Sequence, residues 1–344
     1  MTISRHQFPE SKIEYWHVKG HMSRPIEERI EVLNAGTAKL LRDFMNLFRD
    51  DVKDKFHLPK PVHLSPDLRT DITAAIEGLP KNLKEVATNY LGALIFVRNI
   101  RSNGFAIPIV NKNYEIAGSL IYLNIDKIDV PANEWWTKKE ISPYRGNFEP
   151  KAIKLEARID HERLEENTRI RAFQLILAHE LGHAIHAGRN YFPRWDIPQP
   201  NLFKPGDHPY LDISWKNNGN NKSTLNNEIS RDMGHWVTQL NYFITNEEDR
   251  KLHNKDMWEV FQSFHRKGFA TPYALTRANE DFCELMMIYN MCNIKTTRGD
   301  RNLQPSFTIK NPKTGEQKTL KLNEIIQEPQ FKHKLSFIKE TLKK

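Results

Sequence analysis

The sequence predicts an α+β fold organised around one buried helix that carries polar residues at fixed spacing. Three observations predict it. β-rich segments follow one another between residues 93 and 159. An apolar helical pattern comes directly after them, at 172–188, and amphipathic helical spacing recurs on both sides of this block. Strands grouped ahead of a buried helix belong to the α+β layer architectures.

Taken in order, residues 1–22 carry no periodicity and are rich in histidine and aromatics. Ser23 reads as a helix cap with Pro25 in the first turn. Ile26, Ile30, Leu33, Leu40, Phe44 and Leu47 then recur at helical spacing to about Phe56. The stretch 57–66 breaks that pattern and marks a boundary. Residues 67–77 and 82–89 read as two short helices separated by Gly78-Leu79-Pro80. Residues 93–99, 105–110 and 119–125 read as strands, with Ser102-Asn103-Gly104 as a turn. The stretch 129–150, with Trp135 and Trp136, reads as irregular. In 152–159 Ile153, Leu155, Ala157 and Ile159 alternate with Lys154, Glu156 and Arg158, the pattern of a half-exposed strand. Its edge is a candidate to pair with an extended substrate backbone.

Residues 172–188, AFQLILAHELGHAIHAG, contain His179, Glu180 and His183 as an H-E-x-x-H pattern. Four residues is slightly more than one helical turn, so both imidazoles leave one face. That spacing lets two nitrogen ligands reach one zinc ion, with Glu180 placed to hold a water. Asn167 or Thr168 can cap this helix, and Gly188 falls at a C′ position. The helix is apolar almost all round and is expected to be buried, where its polar groups need a partner such as a metal. Gly182 in mid-helix suggests close backbone packing. His186, one turn further on, reads as packed or solvated rather than as a ligand.

Beyond Gly188 the chain is rich in Pro, Asn and aromatics through about residue 230, a long insertion expected to wall the site. Trp195, Trp135 and Trp136 are candidates either to line a substrate groove or to pack in the core or on the surface. Helical patterns resume from Leu225 to His265. A hairpin follows at 306–322, and a last helix starts near Gln330. These shifts divide the chain into an N-terminal helical region, 1–66, a central domain, 67–294, with its insertion at 189–230, and a basic extension, 295–344. The extension holds 12 Lys and Arg against 5 Asp and Glu, nearly all of the net charge of +8. Such a segment offers a surface for nucleic acid, an anionic membrane or an acidic protein.

A catalytic zinc site takes three protein ligands and keeps one position open. The metzincin spacing puts the third ligand at Arg189 and its glycine at His186, so that pattern is absent. Asp196, Asp207, His208, Asp212, Glu228, Asp232 and His235 lie nearer in sequence but in no ligand context. The better candidate is the helix expected after a Thr276 cap, which carries Glu280 and Glu284 on one face. One carboxylate can bind metal and the other can accept an N–H from a ligand histidine.

Residues 172–188 and 268–290 resemble the gluzincin peptidases of the anthrax lethal factor and Pro-Pro endopeptidase type. These pair H-E-x-x-H with a downstream helix in which a tyrosine stands seven residues before a ligand glutamate and a second glutamate follows four later. Here those positions are Tyr273, Glu280 and Glu284. The resemblance implies a zincin-like domain, a twisted sheet with an active-site helix and a ligand helix. It implies one Zn2+ per chain held by His179, His183 and Glu280, Glu180 as general base, Tyr273 as oxyanion stabiliser and Glu284 as support behind the ligands. Cys283 replaces the usual alanine, and 97 positions separate His183 from Glu280, more than is usual for the family. A second resemblance, to the phage-repressor-cleaving metallopeptidases, lacks its third ligand, because Leu275 stands where the glutamate belongs.

The expected activity is a zinc endopeptidase acting on a protein or peptide substrate, either a toxin or effector protease or an intracellular regulatory one that cleaves a repressor-like or nucleic-acid-bound protein. A non-catalytic, metal-stabilised scaffold is the contrasting class. No apolar run approaches the ~20 residues that span a bilayer, and the first residues form no apolar signal core. The expected setting is therefore cytoplasmic, or export by a signal-peptide-independent route. The two cysteines, Cys283 and Cys292, point to opposite sides of one predicted helix and form no disulfide framework.

Overall fold

The structure is a computed structural model that describes residues 8–46, 58–100, 102–146, 152–193, 206–217, 223–240, 242 and 250–343. Its larger sheet is assembled from β1 (Ile30–Val32), β2 (Lys60–Pro61), β3 (Leu91–Arg98), β4 (Gly104–Val110) and β5 (Ile116–Asn124). The order is β1-β3-β5-β4, with β2 extending the β1 side of β3. β3 runs parallel to β1 and β5, and β4 closes one edge antiparallel to β5. Residues 91–97 of β3 are buried without alternation, as expected for a central strand covered on both faces.

One face of the sheet is covered by Ile13, Trp16 and α1 (Ala35–Asn46), with Leu40 and Leu41 against Ile95, Ile109 and Leu120. The other face carries α2 (Pro66–Glu77), α3 (Lys81–Thr88) and the long α5 (Arg169–Gly188). α5 packs along β5 and β4, which sets the metal-binding pattern behind the edge of the sheet.

The single helix expected from 26 to 56 is divided. Residues 26–28 form a 3-10 turn, 30–32 form β1, and α1 begins only at Ala35, capped by Asn34, whose Oδ1 accepts the Thr37 N–H at 2.9 Å. Its expected end, 47–56, lies outside the described residues. The stretch 129–150, expected to be irregular, contains α4 (Ala132–Ile141), with Trp135 and Trp136 buried. These two tryptophans are core, not groove, because α4 packs them against α5 and the second sheet. Trp195 lies outside the described residues.

The second sheet orders β8 (Gln317–Lys321), β7 (Ser306–Lys310) and β6 (Lys154–Arg158), all antiparallel, so the expected hairpin forms and pairs onto the expected strand. The open edge of β6 is already occupied. The Ala157, Ile159 and Ile153 N–H groups donate to Thr137 Oγ1, Asn133 Oδ1 and Asn254 Oδ1 at 2.9, 2.8 and 2.5 Å. Side-chain oxygens thus take N–H groups along this edge, which works against its pairing with a substrate backbone.

The described residues of the 189–230 insertion form a short helix at Leu211–Ser214 and a two-stranded ladder of 215–217 with 223–225, and α6 (Asn227–Val237) begins within it. α7 (Met257–Arg266), α8 (Ala278–Met291) and α9 (Lys332–Thr341) follow, and α9 packs on α8. One hydrophobic cluster takes residues from all three regions that composition distinguishes, from Ile26 through α5 and α8 to Leu342. Part of the basic excess of 295–344 is spent on acids elsewhere, in Arg298–Glu165, Arg301–Asp160 and the buried Lys334–Asp281 pair. The fold is therefore mixed α+β, and among the described residues no helix is long and apolar enough to cross a membrane.

Candidate metal centre

α5 starts where Thr168 accepts the Arg171 N–H at 3.2 Å, and it is buried almost throughout. Gly182 lets α8 approach closely: a Cβ there would lie 3.2 Å from Cys283 Sγ and 3.4 Å from Cys283 Cα. The mid-helix glycine thus serves close packing, as its cost in helix propensity implies. Gly188 does not act as the expected C′ residue. It is the last residue of α5, and a Cβ on it would sit 2.0 Å from a Tyr90 ring carbon, while Asn190 takes the left-handed conformation at φ 53°. Thr276 does not cap α8, because its hydroxyl donates to Tyr273 O at 2.7 Å and it closes the 3-10 turn Pro272–Leu275, which Thr271 caps instead.

The α5–α8 contact brings the predicted residues together. Glu280 Oε2 is 3.2 Å from His179 Nε2 and 3.4 Å from His183 Nε2. The three donor atoms all lie within 4.8 Å of one another. Glu280 Oε2 is buried and is aligned for a hydrogen bond with neither imidazole, and one oxygen of the buried Glu180 also lacks an aligned partner. Two imidazole nitrogens and a carboxylate oxygen converging without hydrogen bonding one another suit a borderline-soft dication such as zinc.

Charge points the same way. Glu140, Glu180, Glu284 and Glu280 gather here, the first three buried, and the Lys139 ammonium contacts Glu140 at 3.1 Å and Glu284 at 2.7 Å. Clustered carboxylates in a low-dielectric interior require protons or a cation. Without metal, burial pushes the His179 pKa down, but the Glu280 and Glu284 carboxylates beside its ring win and raise it to about 10. Burial opposes ionisation of Glu280, yet the two imidazoles beside it, His183 foremost, hold it well below the ordinary carboxylate range.

Each ligand ring also has a partner behind it. Glu284 Oε1 is 2.8 Å from His179 Nδ1, at contact distance though not in full hydrogen-bond alignment. Its Oε2 accepts from Lys139 Nζ at 2.7 Å and from Thr271 Oγ1 at 2.6 Å. His183 Nδ1 lies 3.0 Å from His186 Nε2. Engagement of both Nδ1 atoms leaves the Nε2 lone pairs for a metal. His186, expected to be merely packed or solvated, orients a candidate ligand, its ring set edge-on against Phe192 and Phe282. A second donor group, His183, His186 and Cys283, shares His183 with the first.

Burial raises the Glu180 pKa, an effect that the charges of Glu280 and Glu284 reinforce and those of the imidazoles oppose. Gly104, at the start of the edge strand β4, makes room for it: a Cβ there would be 2.8 Å from Glu180 Oε1. The Tyr273 ring centroid is 6.1 Å from that of His179, and burial raises the phenol pKa well above its usual value, so the hydroxyl remains a donor. Sequence reading missed Lys139, Glu140 and Tyr242. Thr271-Pro272, a capping residue followed by proline, was a readable signal for the turn that carries Tyr273.

No family model, curated protein or solved structure matches this chain.

Proposed function

We propose that this protein is a zinc-dependent peptidase of the gluzincin type. The observation that carries the reading is the convergence of His179 Nε2, His183 Nε2 and Glu280 Oε2 from two helices far apart in sequence, with Glu180 adjacent. Three ligands from the protein, with a position left for a reactant, is the arrangement of catalytic rather than structural zinc. When bound, zinc supplies Lewis-acid chemistry: it polarises a carbonyl and makes water nucleophilic near neutral pH.

The residues of the chain do the rest. Glu180, with its carboxylate pKa raised by burial, takes the proton of the attacking water and passes it to the leaving amine. The Tyr273 hydroxyl donates a hydrogen bond to the oxyanion of the tetrahedral intermediate. Glu284 keeps the His179 proton on Nδ1, and His186 does the same for His183. The substrate is a protein or peptide. It is met in the cell that makes the enzyme or, if this is an effector, after signal-peptide-independent export. Contact of the remaining basic C-terminal surface with nucleic acid belongs to the same proposal.

The test pairs metal analysis with cleavage of a mixed peptide library. The wild-type protein should carry one zinc per chain and produce new N-termini. Glu180→Gln should keep the zinc and lower turnover by ~10²–10⁴. Zinc binding without cleavage by the wild-type protein would favour the scaffold reading. Full activity in Glu180→Gln would remove that residue from the mechanism.

A further inference from the structure

Lys139 touches both halves of the catalytic apparatus. Its side chain is 9% exposed, and its Nζ lies 2.7 Å from Glu284 Oε2, 3.1 Å from Glu140 Oε1 and 4.7 Å from the centroid of the Tyr273 ring. The other oxygen of Glu284 faces His179 Nδ1 at 2.8 Å. Glu140 in turn accepts the Tyr242 hydroxyl at 3.4 Å, and the Tyr242 ring packs edge-on against Tyr273 with centroids 4.8 Å apart. Lys139, Glu140, Tyr242 and Tyr273 thus form a closed ring of contacts, and Glu284 leads from it to the metal ligand.

Burying an ammonium with two carboxylates is a poor way to stabilise a fold, since well-packed apolar residues of like volume do as well or better. Its yield here is geometric. Lys139 and Thr271 together hold one oxygen of Glu284, which restrains the carboxylate from rotating away from His179. The same ammonium lies over the face of Tyr273, a cation–π contact that favours one ring position.

We propose that Lys139 is a positioning residue that couples the orientation of His179, through Glu284, to the placement of the Tyr273 hydroxyl. The proposal rests on the zinc-peptidase reading. Lys139 acts through Glu284 and Tyr273, so its removal should lower kcat and leave KM nearly unchanged. It should also alter the metal environment, which can be read without turnover.

The experiment compares wild type, Lys139→Met, Lys139→Arg, Glu284→Gln and the double variant Lys139→Met/Glu284→Gln. Each is assayed for kcat and KM on a peptide that the wild type cleaves, for zinc affinity against a competing chelator, and for the visible absorption spectrum with Co2+ in place of zinc. Lys139→Met should lose ~10–100-fold in kcat or zinc affinity, the range for groups that orient metal ligands. Its Co2+ spectrum should shift in the direction of Glu284→Gln, and Lys139→Arg should recover most of both. In zinc affinity and Co2+ spectrum the double variant should be little worse than Glu284→Gln alone, because there the two residues act through one path.

A Lys139→Met protein with wild-type kcat and spectrum overturns the proposal, as does a double variant whose losses in zinc affinity multiply. If Lys139→Met does not fold, the double variant carries the test, since it removes one of the two carboxylate charges left without the ammonium. A wild type that takes up no metal overturns the peptidase reading together with this one. Failure of the Lys139 proposal alone shows as unaltered variants of an active, zinc-loaded enzyme.

Discussion

If the site holds zinc as proposed, stripping the metal reads it most directly, because zinc and protons then compete for the same nitrogen. In the metal-free protein His179 keeps its proton to about pH 10, against an ordinary value of 6.5: burial works against the charge, and the adjacent carboxylates of Glu280 and Glu284 overcome it. The sign follows from linkage. A pKa raised in the folded state gives stability that is full below about pH 6.5 and is lost as pH rises through about 10. The zinc-loaded protein has already released this proton and is free of that loss. At fixed free zinc, the stabilisation by metal should therefore grow with pH. One displaced proton makes the apparent affinity about tenfold tighter per pH unit, or ~1.36 kcal/mol. From pH 7 to pH 9 that is about 2.7 kcal/mol. An unfolding entropy of roughly 2.1 cal/mol/K per residue over 344 residues is ~0.7 kcal/mol/K, so the gap in Tm between loaded and stripped protein should widen by about 4 °C. Calorimetry of both forms, with free zinc clamped by a metal buffer, measures it. A gap that stays constant or narrows over those two pH units would refute the competition, and with it the assignment of His179 Nε2 as a ligand atom.

The remaining predictions separate chemistry from packing. Tyr273→Phe should keep its fold and metal and lose ~10²–10³ in kcat, the usual cost of an oxyanion donor; unchanged turnover in steady-state kinetics would take the hydroxyl out of the reaction. Gly188→Ala should lower stability by about 1–3 kcal/mol, because the new Cβ meets the Tyr90 ring at 2.0 Å, and a melting temperature equal to wild type would show that the ring moves freely. Lys334→Met should cost about 3–5 kcal/mol by leaving a buried carboxylate unpaired, since Lys334 and Asp281 are 0% and 1% exposed and 2.7 Å apart. Adding Asp281→Asn should restore much of that loss in denaturant titrations, and a double variant as unstable as the single would argue against an unpaired charge as the cause.

What could be read from the sequence follows from how far apart the interacting groups are. His179 and His183 declare themselves because four residues on one helix fix their geometry locally. Glu280 needed the family pattern, because nothing local distinguishes a ligand carboxylate from an exposed acidic edge. α4 was illegible for a physical reason: its buried positions hold polar Asn133 and Glu140 beside Trp135 and Trp136, so no apolar stripe marks the buried face. Lys139 and Glu140 were lost with it. The division of the first expected helix was also hidden, since Ile26, Ile30 and Leu33 have helical spacing. What pulls that segment into β1 is pairing with β3 some sixty residues later, as in the Leu94 N–H to Arg29 O bond at 2.9 Å. At Gly188, a helix-ending glycine and a glycine required by a distant ring look the same in sequence.

The length of the connection, 97 positions from His183 to Glu280, does not by itself disturb the site, although it departs most from the spacing of the family that the chain resembles. Loop-closure entropy grows only with the logarithm of length, so doubling a connection adds about 0.6 kcal/mol. Ligand geometry is set instead where α5 and α8 touch, at Gly182 and Cys283. The connection also returns to brace α8 beside its ligand. Trp215 Nε1 donates to Asp281 Oδ2 at 3.0 Å, and the Tyr210 ring packs on Phe282 with centroids 5.2 Å apart. These contacts fall one and two residues after Glu280, where a rotation of α8 about its axis would break both. Tyr242, from the same stretch, backs Tyr273. The insertion that makes the spacing unusual therefore supplies side chains that hold Glu280 and Tyr273 in register, and shortening it to the family length would remove supports from the site.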